Sequence, residues 1–111
     1  MTDLEYIAEN LSDEDILCQI AEEAAELAQA ALKLRRAITQ TNPTPVTVDE
    51  ALHNLYEEII DVSLAEKVYF EKNKHEHLLG ASGLIANGKA YRWAQRIKEE
   101  KKKNEKRNAQ H

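Results

Sequence analysis

Glycine and proline are scarce: three and two in 111 residues. This argues against a sandwich or barrel built on many tight turns. Aromatic residues make up only 5%, too few for a large apolar core. There is one cysteine, Cys18, which cannot close an internal disulfide and fits a reducing compartment. No apolar run approaches the ~20 residues that cross a bilayer. Residues 1–20 carry acids where a secretion signal needs a basic start and an apolar stretch. These absences lead us to expect a cytoplasmic protein that does not act at a membrane. What is abundant is charge, at 32% of residues, and alanine, which inflates the 42% hydrophobic content. The profile is that of one small helical domain with a wet surface and a thin core.

The net charge of −5 hides a division. Residues 1–80 hold 17 Asp and Glu against 6 Lys and Arg; residues 81–111 hold 3 against 9. An acidic body followed by a basic end does not suit a nucleic-acid binder. It suits a site in which metals sit on carboxylates and a basic arm meets phosphates.

Periodicity organises the chain into helices. Leu4, Ile7 and Leu11 are spaced for a short leading helix. Ser12 followed by Asp15 forms a capping-box pattern, and a helix is predicted from there to about Ile38. Its main apolar stripe is Leu17, Ile20, Ala24, Leu27, Ala31, Leu34 and Ile38. A second stripe, Ala21, Ala25, Ala28 and Leu32, lies about 100° round the helix. A helix with two apolar faces is covered on two sides, which predicts a homodimer or homotetramer. Thr39–Val46 contains Asn42-Pro43 and Thr44-Pro45 and reads as a loop. Thr47 with Glu50 repeats the capping pattern, and a helix is predicted over Val48–Lys72, with Val48, Leu52, Leu55, Ile59, Val62 and Tyr69 inward. Residues 73–83 connect it to a last helix over Leu84–Lys101. Residues 101–111 have no apolar residue except Ala109 and are expected to fray or to be disordered. The expected fold is therefore an all-α bundle: two long antiparallel helices and a C-terminal helix, in one domain over 1–100, assembled as an oligomer.

Each long helix carries a compact acidic motif. Glu22-Glu23-Ala24-Ala25-Glu26 lies on the first and Glu57-Glu58-Ile59-Ile60-Asp61 on the second. Glu23 and Glu26 are three residues apart, hence on one face, and Glu58 and Asp61 likewise. Glu22, Gln29, Lys33 and Arg36 mark the solvent side of the first helix, which leaves Glu23 and Glu26 at the edge of the core. Antiparallel packing brings the two pairs together. Four such carboxylates repel one another. Protonation is one compensation; no Lys or Arg lies within four residues of either pair on that face, and divalent cations are the other. Oxygen-only ligands suit Mg²⁺, Mn²⁺ or Ca²⁺ over zinc. Mg²⁺ relies on substrate phosphates for part of its shell, which points to a polyphosphate substrate. A di-iron bundle wants Glu-x-x-His, and no His occupies that position here.

With these motifs in place, the chain resembles the MazG-like nucleotide pyrophosphohydrolases of the all-α NTP pyrophosphatase superfamily. QIAEEAAELAQAALKLRRA, NPTPV and NLYEEIIDV carry the likeness over about residues 10–65. The spacer of 31 residues between Glu26 and Glu58 is longer than is usual in that family. GKAYRWAQRIKE is similar to the family's last helix. The resemblance implies Mg²⁺-dependent hydrolysis of a (deoxy)nucleoside triphosphate to the monophosphate and pyrophosphate. It implies Glu23, Glu26, Glu58 and Asp61 as metal ligands, with Glu22, Glu23 and Glu26 as catalytic candidates. Lys89, Arg92 and Arg96, on one side of the last helix, are candidates for closing over phosphates, and Trp93 for stacking on a base. Gln19 and Asn54, one turn before Glu23 and Glu58, are candidate substrate contacts. The competing reading is a non-enzymatic helical interaction module that keeps the acidic face without catalysis. Cys18 is expected in the core, His53 outside the site, and His75 and His77 in a solvated loop.

Overall fold

The computed structural model describes residues 1–74 and 80–110. They form four helices, and the described residues contain no strand: α1 (Asp3–Asn10), α2 (Asp13–Thr39), α3 (Val48–Lys72) and α4 (Ser82–Ala109). Residues 1–74 make one compact unit, and α4 belongs to a second. His75 and His77 lie outside the described residues.

Hydroxyl caps start the first three helices. Thr2, Ser12 and Thr47 each accept the backbone N–H three residues on, from Glu5, Asp15 and Glu50, at 3.1 Å. α2 ends where Gln40 turns left-handed (φ 56°, ψ 13°). Its N–H bonds Arg36 O at 2.9 Å and its side-chain amide bonds Ala37 O at 2.8 Å, covering two carbonyls that the helix leaves free.

α2 and α3 are antiparallel and packed together, and α1 lies on α3. The end of α3 is tied to the α1–α2 junction. Lys72 Nζ donates to Leu11 O and pairs with Asp13 at 3.7 Å. Asn73 Nδ2 donates to Asp13 Oδ1 at 3.0 Å. Beside this tie, Ala8, Ile16 and Val68 form the core cluster, with Leu4, Ile7, Ile20 and Tyr69 around it. The other buried side chains are Ala30, Ala37, Ala51 and Ala65. The core is thin, as the composition implied, and mostly alanine.

The α2–α3 seam runs along a different stripe from the expected one. On α2 it comprises Ile16, Ile20, Leu27, Ala30, Leu34 and Ala37, with Glu23 among them, whereas Leu17, Ala24, Ala31 and Ile38 are exposed. On α3, Ala51, Ala65 and Val68 are buried, and Val48, Leu52 and Ile59 are exposed. The anchor is Ile16, the most deeply buried large side chain, held by α1 and Val68. Rotating α2 to seat Ile16 puts small alanines at the seam and turns larger side chains outward. Cys18 is likewise exposed rather than in the core.

α4 extends beyond the expected Lys101 boundary to Ala109. No Gly or Pro interrupts it after Gly88, and Lys, Glu, Arg and Ala all favour a helix. Glu100 and Lys103 pair across one turn at 3.7 Å. None of its side chains is buried. Among the described residues no helix is long and apolar enough to cross a membrane.

Candidate metal centre

Midway along the hairpin, α2 presents Glu23 and Glu26 to Glu58 of α3. One carboxylate oxygen from each of the three lies within 4.8 Å of the others. Glu23 and Glu58 are half-buried and Glu26 is exposed. Gln19, one turn earlier on α2, donates to Glu23 Oε1 at 2.7 Å. That bond turns Glu23 so that its other oxygen faces inward. Oε2 of Glu23 and Oε2 of Glu58 are both shut away from solvent and have no hydrogen-bond partner. A buried oxygen without a donor is costly, and two of them in one cluster call for a cation or a proton.

The electrostatics agree. Burial pushes the Glu23 carboxyl above its ordinary value. The Gln19 hydrogen bond opposes this, and the charges of Glu26 and Asp61 add to it. None of Glu23, Glu26, Glu58 and Asp61 has a Lys or Arg partner among the described residues. Three half-buried or exposed carboxylates at this spacing fit a hard divalent cation with oxygen ligands and water completing its shell.

Asp61 is exposed and stands outside the group of three, but it shares a cavity of about 240 Å³ with Gln19 and Glu23. A second, larger cavity of about 510 Å³ opens on the other flank, beside Glu26, Glu58 and Asn54. Asn54 is half-buried there, while Glu22 is exposed and outside both cavities. Lys89, Arg92, Trp93 and Arg96 are exposed on α4, in the second unit. His53 is also exposed, 3.9 Å from Asp49.

Lys33 and Arg36 depart from expectation. Placed by periodicity on the solvent side of α2, they are half-buried and line the larger cavity with Glu26 and Glu58. Spacing puts Lys33 on the side of Glu26, two helical turns on, but does not by itself show its burial. The chain matches no family model, no curated protein and no solved structure.

Proposed function

We propose that the protein is a Mg²⁺-dependent hydrolase of nucleoside triphosphates that releases the monophosphate and pyrophosphate. The observation that carries this reading is the Glu23–Glu26–Glu58 cluster, with two orphaned carboxylate oxygens and no basic partner. The likeness to MazG-like enzymes supplies the reaction; the cluster supplies a reason for the likeness. Glu23, Glu26 and Glu58 would hold the cation, with Asp61 at the flank. When bound, the cation neutralises phosphate charge and activates water. The protein's part is placement. Gln19 fixes Glu23, burial keeps the inner oxygens free of competing donors, and the exposed Glu26 faces incoming water and can take its proton. Glu22, outside the cluster, is the less well placed of the two for that role. The assignment of Lys89, Arg92, Trp93 and Arg96 to substrate rests on the resemblance.

Glu23→Gln and Asp61→Asn are each expected to abolish pyrophosphate release from a panel of ordinary and damaged triphosphates, with helical circular dichroism unchanged. Full turnover in either variant overturns the assignment. Triphosphates that bind neither with nor without Mg²⁺ would instead favour the interaction module.

We also propose that the chain assembles with itself. Leu17 and Ile38 of α2 and Val48, Leu52, Tyr56 and Ile59 flanking or on α3 are 45–66% exposed. Helical geometry puts them on one side of the hairpin, away from Asn54 and Glu26. With the neighbouring alanines they offer on the order of 600 Å², near the ~800 Å² per partner of a standard interface.

A further inference from the structure

We propose that Lys33 and Arg36 form an anion-binding end of the acid site, which holds phosphate groups of a polyphosphate whose other end meets the carboxylate-bound cation. This rests on the hydrolase reading and adds to it the residues that grip the substrate.

The cavity of about 510 Å³ is lined by both signs of charge. Glu26 and Glu58 line it with Lys33 and Arg36, which lie further along α2, and the amides of Gln29 and Asn54 line it too. Both cations are half-buried, yet neither forms an ion pair within 4.0 Å among the described residues, although two acids share their cavity. Half-burying a charge without a partner has a cost that an anion would remove. The free carbonyls at the end of α2 favour a cation at Arg36, in the last turn. They do not account for Lys33, nor for a cavity that joins it to the acids.

The geometry fits an extended anion. Lys33 lies seven residues from Glu26, or ~10 Å along the axis. Side chains on a helix lean towards its N-terminus, which for Lys33 and Arg36 is the direction of Glu26. Arg offers a planar fork to phosphate oxygens and Lys a mobile point charge. A lone divalent ion would need only the acids, and a simple monoanion only the cations. A polyphosphate uses both.

Calorimetric titration with inorganic tripolyphosphate and Mg²⁺ tests this on the full chain. Lys33→Met and Arg36→Met are each expected to weaken binding at least tenfold, and the double variant further. Lys33→Arg should restore most of the affinity. Mn²⁺ binding without phosphate should not weaken in any of them. Lys103→Met, which removes an equal charge from α4, should bind as the parent does. Lys33→Gln carries the same test if methionine disturbs packing. The proposal is overturned if the double variant binds tripolyphosphate normally, if Lys103→Met loses as much, or if the parent binds none. If the parent hydrolyses triphosphates and the double variant keeps its KM, the anion site fails and the hydrolase stands. If no triphosphate is hydrolysed but tripolyphosphate still needs Lys33 and Arg36, the reverse holds.

Discussion

Glu23 concentrates the site's electrostatics in one side chain. Its carboxyl titrates above its ordinary value because burial penalises the charge. The folded state therefore binds this proton more tightly than the unfolded chain does. The stability it contributes is complete below the unfolded value and is lost as pH rises through the folded one. In the metal-free protein, Glu23→Gln should accordingly raise the melting temperature at pH 7. The gain should shrink as pH falls through the folded value and be gone below about 4.5, the unfolded reference value. Adding Mg²⁺ should stabilise the parent and not the variant, by ~2.7 kcal/mol at a hundredfold excess over Kd. Melting curves with EDTA and with Mg²⁺ across pH check both. The positions of Glu23, Glu26 and Glu58 were legible from three-residue spacing on two helices. The half-burial of Lys33 was not, because a long side chain can follow a cavity that one helix alone does not define.

At the level of the helices, hydroxyl caps made boundaries readable. Ser12 and Thr47 mark the starts of α2 and α3, and the predicted Val48–Lys72 span is the observed one. α4 runs past Lys101 to Ala109 because local propensity is enough to continue a helix where hydrophobicity is low. Which apolar stripe faces inward could not be read from periodicity, since α2 has several and tertiary anchoring of Ile16 selects one. That anchoring depends on the tie at Asn73, which bonds Asp13 and, at 3.3 Å, Tyr69 O. Asn73→Ala is expected to cost ~1 kcal/mol. In a unit of this size that lowers the melting temperature by roughly 4–8 °C. A change below 1 °C would show that the tie contributes nothing.

For the molecule as a whole, the thin alanine core and the large exposed apolar side are what the proposed self-assembly rests on. In sedimentation, the parent is expected as a dimer or tetramer, and the Leu52→Asp, Ile59→Asp double variant as a monomer with its helices intact. A monomeric parent would end the assembly reading. The all-helical class was legible from composition; which side of α2 packs on α3 was not, because it depends on how the helices meet. The alanines have one more effect. Ala30 and Ala51 are buried where α2 and α3 meet, and Ala30 borders the cavity beside Glu26 and Glu58. Small side chains there act as shims that set how far apart the opposing carboxylates stand. Mg²⁺ requires oxygens at ~2.1 Å and Ca²⁺ accepts ~2.4 Å. A thicker shim at Ala30 would retune the ion size the cluster selects, leaving every ligand in place.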